Sequence, residues 1–356
     1  MKILYGVQGT GNGHITRARA LNQYFREYGL DVDFLFSGRE RSRYFDMQEF
    51  GDWRCCQGLT FAYRAGGIKI LKTLTNNNFR QLHSDIHSLD LNDYDLVLTD
   101  FEPISARAAK NQSVPCIGVG HQYAFLHDVP TAGDSLISRN ILRHFAPAQY
   151  HLGLHWHHFN TPILPPIAEV SSERDSTEAE KIVVYLGFED PEDVIQYLEP
   201  FKDHLFVVYG PYPHYQSLGH IQLKPLSREG FCRDLATCNG VISNAGFELA
   251  SETIQLGKKL LVKPLQGQME QLSNAKALVD LGLGMSMSSL DSQQLQRWLS
   301  SFHGKRIVYP NVAEAIVQWI HAGRWNDIES LSQKLWSETE FYENGQIEPQ
   351  RFAPAA

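Results

Sequence analysis

A histidine directly behind a glycine-rich loop is the first group in this chain equipped to do chemistry. Gln8-Gly9-Thr10-Gly11-Asn12-Gly13-His14 follows a short apolar run, Lys2 to Val7, and precedes helical spacing from Ile15 to Tyr28. Taking a proton from a hydroxyl during attack needs a base whose pKa lies near the working pH, and imidazole meets that requirement. The chain holds 15 histidines, so position rather than residue type singles out His14; the plainer reading is a ring that only packs on the loop. Asp100 and Glu102 follow the apolar run Tyr94 to Thr99, and His121-Gln122 follow Pro115 to Gly120. An acid at such a strand end would orient an imidazole, and Glu102 would serve equally as a helix-start acid.

A second constellation lies in the other half of the chain, SNAGFELASETIQLGKKLLVKPLQGQMEQLSNA from Ser243 to Ala275. An apolar run from Gly240 meets the turn Asn244-Ala245-Gly246, and helical spacing then runs through Phe247 and Glu248 to Leu256, where Gly257 stops it. The unpaired N–H groups of a helix start, with the macrodipole, attract an anion, and a glycine lets phosphate oxygens come close. Glu252 lies one to two turns further on, within reach of whatever that phosphate carries. A strand from Lys259 to Pro264 then delivers Gln268, Glu270 and Gln271 ahead of another helix.

These groups need elements that carry them to one edge. Apolar runs alternate with helical spacing in both halves of the 356 residues, which predicts two doubly wound α/β domains. In such sheets ligands bind outside the carboxyl ends of the strands, where every group named above falls. The expected boundaries are an N-terminal domain over 1–165, a polar linker over 166–180, a C-terminal domain over 181–325, a helix over 326–343 that crosses back, and a tail over 344–356. Helices are expected near Asp291 to Phe302, Val312 to Ala322 and Ile328 to Phe341. A dinucleotide fingerprint is excluded, because His14 stands where its third glycine belongs and Gly38-Arg39 follows the second strand in place of a ribose-binding acid.

Ser-x-x-Gly, Glu six residues after the Gly, Gly-Lys-x, a strand ending in Pro, and Glu-Gln-x-x-Asn-Ala together resemble the donor motif of GT-B glycosyltransferases, notably the lipid II-forming family and the UDP-glycosyltransferases. The Asp-Phe-Glu-Pro turn with the His-Gln strand end resembles a little-characterised bacterial and archaeal group of such enzymes. The resemblance implies two Rossmann-like domains facing across a cleft. It implies that Glu252 holds the ribose hydroxyls, that the turn Asn244 to Gly246 faces the pyrophosphate, and that Glu270-Gln271 touches the sugar. His14 would face the acceptor as base, and the loop Gly9 to Gly13 would line the acceptor or phosphate site. The implied activity is inverting, metal-independent transfer from a nucleotide sugar, UDP-linked, to a glycan, lipid or small-molecule hydroxyl. No cofactor is implied, since the nucleotide sugar is the co-substrate. A nucleotide-sugar epimerase of the same fold and a non-catalytic nucleotide-sugar binding protein remain as alternatives. The family usually has small neutral residues in the turn after Leu186, where this chain carries Glu189-Asp190.

Composition narrows the remaining classes. A net charge of −8 argues against nucleic acid as the partner. No apolar run reaches the length of a membrane span, and five cysteines with no C-x-x-C and no metal spacing suit a reducing cytoplasm. Basic residues between Arg39 and Arg80, interleaved with Phe61, Tyr63, Ile68, Ile70 and Leu71, read as a solvated helix face or as an acceptor or peripheral membrane contact. The run His155 to Phe159 lacks paired acids, and the Asp-x-Asp triplets at Asp31 and Asp93 begin strands, away from the ligand edge, so no metal site is expected.

Overall fold

A computed structural model describes residues 1–59, 63–64, 67–68, 78–133, 136–168, 177–343 and 346–348. In the first half, β1 (Lys2–Gln8) leads into α1 (Asn12–Glu27), followed by β2 (Asp31–Ser37), β3 (Arg54–Cys56) and a short antiparallel pair, β4 (Tyr63–Arg64) and β5 (Gly67–Ile68). Then come α2 (Phe79–Ser88), β6 (Leu96–Asp100), α3 (Pro103–Gln112), β7 (Cys116–Gly120), α4 (His121–Ala124), α5 (Leu136–His144) and β8 (Tyr150–Gly153). The six-stranded sheet has the order β3-β2-β1-β6-β7-β8, every pair parallel. Strand order therefore reverses between β1 and β6, and the ends of those strands bring His14 and Asp100 to one crevice.

The second half repeats the pattern with β9 (Lys181–Tyr185), α6 (Pro191–Leu198), β10 (Leu205–Gly210), β11 (Gln216–Leu218), β12 (Ile221–Pro225), α7 (Arg228–Thr237), β13 (Gly240–Asn244), α8 (Phe247–Gln255), β14 (Lys259–Lys263), α9 (Met269–Asp280) and β15 (Met285–Ser286). Its sheet runs β11-β12-β10-β9-β13-β14-β15, parallel except at β11, and reverses between β9 and β13. Parallel sheets need cover on both faces. One large apolar cluster joins the two halves, and further clusters lie on the remaining face of each sheet.

The chain closes with α10 (Ser292–Ser301), β16 (Arg306–Val308), α11 (Val312–His321), α12 (Ile328–Ser337), β17 (Glu340–Glu343) and β18 (Gln346–Glu348). Asn311, just before α11, donates to Tyr24 Oη of α1 at 2.6 Å. From α12, Ser332 Oγ and Trp336 Nε1 both donate to Ile163 O at 2.7 Å, so the C-terminal helix lies on the first half. Two expectations are corrected. Helix α1 begins at Asn12, not Ile15, which puts Gly13 and His14 in its first turn. Helical structure stops at Ser337, because Phe341 and Tyr342 pair in β17 with β16 and β18 and bury Phe341. The interleaved residues Phe61, Ile70 and Leu71, linker residues 169–176, and tail residues 344–345 and 349–356 lie outside the described residues. Among the described helices none is long and apolar enough to cross a membrane.

Trp336 is 4% exposed, and its ring anchors α12 through the Ile163 bond. Trp336→Ala is expected to cost about 3–5 kcal/mol, as for other buried aromatic truncations. Urea denaturation reads this directly, and a loss below about 1 kcal/mol, the scale of ordinary surface changes, would show that the helix is not clamped there.

Candidate active site

Local sequence explains why the crevice is built as it is. Helix α1 starts on Gly11 with no side-chain cap, so its first N–H groups are left open toward the crevice. His14, in that first turn, donates Nδ1–H to Asp100 Oδ1 at 2.7 Å. A carboxylate on Nδ1 fixes the tautomer, and the neutral ring then carries its lone pair on Nε2, which bonds to nothing among the described residues. His14 keeps 14% of its side chain exposed, while Asp100 is fully buried.

Arg17, one turn after His14, is the functional group that the sequence reading passed over. It donates Nε to Asp100 Oδ2 and Nη2 to Asp100 Oδ1, both at 2.7 Å. Its remaining arm, Nη1, pairs with Glu248 of α8, in the other half of the molecule. The available signal was the i, i+3 spacing from His14, which puts both side chains on one helix face. Burial works to raise the Asp100 pKa, but the Arg17 and His14 charges and hydrogen bonds outweigh it and hold the carboxyl below its ordinary value.

Glu102 is drawn away from this group. As the N-cap of α3 it accepts from Ile104 N, Ser105 N, Ser105 Oγ and Ser37 Oγ at 2.7 to 3.0 Å, with no exposed surface. Burial pushes its pKa up against those bonds. In this structure the carboxylate serves as the helix-start acid, one of the two roles expected of it, and is fully buried.

The glycine-rich loop packs tightly. A Cβ on Gly9 would lie 2.1 Å from Tyr44 Oη, and one on Gly13 would lie 2.6 Å from Glu248 Oε2. Thr10 sits against Gly38, and Asn12 Oδ1 accepts from Arg39 Nη2 at 3.2 Å. Gly13 thus lets the first turn of α1 meet the first turn of α8.

On the other side, Gly246 caps α8 without a side-chain bond, after a tight turn in which its N–H donates to Asn244 O at 2.8 Å. Asn244 Nδ2 holds Lys263 O, and Ala245 O accepts from Asn274. Nothing lies within 4 Å of a Cβ built on Gly246, so the space before this helix start is open. Glu252 is half-buried on the same helix. Glu189 pairs with Lys263 Nζ at 2.6 Å, which offsets the acidic departure in that turn.

Several candidates meet across the seam between the halves. His121 lies with Nδ1 2.8 Å from Leu154 O and Nε2 2.5 Å from the Asn274 side-chain amide, and stacks on Phe247 with centroids 4.0 Å apart. Gln122 Nε2 donates to Glu270 Oε2 at 3.2 Å. Trp156 Nε1 donates to Ser251 Oγ at 2.8 Å. Gln268 ends β14's loop with its Oε1 buried and unpartnered, whereas Gln271 Oε1 turns inward to accept from Leu265 N at 2.9 Å. Among the described residues no three or more His, Cys, Asp or Glu side chains converge as metal ligands.

Asp100→Asn leaves the buried Arg17 guanidinium without its main counter-charge and is expected to destabilise the fold by about 3–5 kcal/mol. Because the folded-state pKa of Asp100 is depressed, its contribution is complete above the unfolded value of about 3.9 and is lost as pH falls through the lower folded value. Denaturation of the wild type between neutral and acid pH should show this loss. The Asn variant should lack that component, and identical profiles would contradict the pairing.

The model of glycosyl transferase family 1 matches residues 1–302. A similar solved structure is the glycosyltransferase SsfS6 of Streptomyces sp. SF2575, 13% identical over 90% of this chain and 99% of that one, with a TM-score of 0.57. Its structure complexed with thymidine diphosphate aligns at a TM-score of 0.56 with 14% identity, over the same 90% and 99%. MurG of Acinetobacter baumannii aligns at 0.52 and 12% identity over 94% of this chain and 100% of that one. No curated protein sequence matches the chain. With a family match over most of its length and two Rossmann-ordered sheets meeting at their ligand edges, the chain belongs to glycosyl transferase family 1 and is a glycosyltransferase of the GT-B fold.

Proposed function

We propose that this glycosyltransferase is inverting and metal-independent, moving a sugar from a nucleoside diphosphate sugar to an acceptor hydroxyl, with UDP as the first nucleotide to test. The observation that carries the reading is the Nδ1–H bond from His14 to Asp100, which leaves Nε2 as a proton acceptor beside an uncapped donor helix. In the step, Nε2 takes the acceptor proton as the acceptor oxygen bonds to the anomeric carbon. The bond from that carbon to the diphosphate breaks on the opposite face, and the nucleoside diphosphate leaves with the electron pair. Open N–H groups at the start of α8 stabilise the leaving oxygens. Glu252 is assigned to the ribose hydroxyls and Glu270 to the sugar, and Arg17 positions Asp100 from behind. The thymidine diphosphate bound by a structural neighbour supports a nucleoside diphosphate site and makes TDP the second nucleotide to try.

His14→Ala and Glu252→Ala should divide the two halves of this scheme. The first should lower turnover by about 10²-fold or more while UDP affinity stays within a few-fold. The second should weaken UDP and UDP-sugar together by about tenfold, the loss of a charge-assisted bond. Wild-type turnover should survive EDTA. Steady-state kinetics with titration calorimetry read all three; near-normal turnover in the His14 variant, or activity lost to EDTA and restored by magnesium, would overturn the mechanism.

A further inference from the structure

Arg39 is a half-buried cation beside the glycine-rich loop, and one of its guanidinium donors is idle. Arg17, Arg19, Lys181 and Lys263 each hold a carboxylate. Arg39 forms no ion pair with a carboxylate among the described residues; its guanidinium lies 4.4 Å over the Tyr44 ring and donates Nη2 to Asn12 Oδ1 at 3.2 Å. Its Nε–H is buried and donates to nothing among the described residues.

The backbone explains the placement. Gly38 adopts φ +105°, and a Cβ there would meet Thr10 Cγ2 at 2.8 Å, so β2 ends hard against the glycine-rich turn. Arg39 is thereby set beside Asn12 at the rim of the crevice. Its charged and titratable neighbours are Tyr44, Arg43 and, across the seam, Tyr185 at the end of β9. Tyr185 marks the point where the second sheet reverses, so Arg39 lies near the ligand edge of that sheet as well as its own.

A half-buried guanidinium with an idle donor and no counter-charge is costly unless an anion completes it. The planar fork suits phosphoryl oxygens, which accept two parallel N–H bonds. We infer that Arg39 is an oxyanion receptor, taking a phosphoryl group of bound substrate between the loop at residues 9–13 and the end of β9. The inference rests on the glycosyl-transfer reading for the identity of that substrate. Two sources carry the same chemistry: the diphosphate of the donor, and a phosphate on the acceptor.

The experiment titrates wild type and Arg39→Gln with UDP and with uridine by calorimetry, and follows inorganic phosphate binding to the UDP-loaded protein by phosphorus NMR. A donor contact predicts that Arg39→Gln weakens UDP by about tenfold with uridine within about twofold, since only the phosphoryl bonds are lost. An acceptor contact predicts unchanged UDP affinity and about tenfold weaker phosphate binding to the loaded protein. Either result supports the receptor, and unchanged affinity in both arms overturns it. Melting curves establish that the variant is folded; if it is not, Arg39→Lys, which keeps the charge and loses the fork, should show a smaller loss of the same kind. A wild type that binds phosphate through Arg39 but neither UDP nor uridine would instead contradict the donor-site reading and leave the anion site standing.

Discussion

A guanidinium that is 1% exposed must find its counter-charges inside the protein, and for Arg17 those charges come from both halves of the chain. Asp100, at the end of β6, takes two of its donors, and Glu248, on α8, takes a third arm. Leaving Asp100 out would strip the buried guanidinium of its main counter-charge at a cost of several kcal/mol. The same carboxylates answer a second constraint. Helices α1 and α8 both start without side-chain caps and meet first turn to first turn, so two positive dipole ends converge. The Glu248 carboxylate lies between them, against Gly13.

That arrangement ties the proposed base to the proposed donor helix. Asp100 is shared between Arg17 and His14, so whatever shifts Arg17 shifts the group that sets the His14 tautomer. Around this centre the seam is specific rather than merely apolar. The His121 ring on Phe247, Trp156 on Ser251 and Gln122 on Glu270 each require one relative placement of the two halves. Helix α12, clamped to Ile163, and Asn311, bonded to Tyr24, hold the outer edge of the same interface.

Much of this was legible in the residues. The alternation of buried strands and amphipathic helices gives two doubly wound sheets, and the turn at Asn244 to Gly246 gives an uncapped helix start because its residue types and spacing are local signals. His14 and Asp100 fall at strand ends on either side of a reversal, which topology alone then brings together. Long-range pairing was not legible in the same way. Arg17 looks like one more charge on an amphipathic helix until β6 and α8 are packed against it. The backbone N–H groups that bond to Glu102 and Gln271 are likewise supplied only by the fold. Residues 340–343 read as helix because the partners that make them a strand, β16 and β18, are supplied only by the fold.

Arg17 links the His14–Asp100 pair to the first turn of α8, and the proposed base and proposed donor helix should therefore act as one unit. A double-mutant cycle on turnover tests it, comparing wild type, Arg17→Gln, Glu248→Gln and the double variant in one folded background. The double variant is expected to be no worse than the poorer single one, with a coupling of about 1–3 kcal/mol. Strictly additive losses would contradict it.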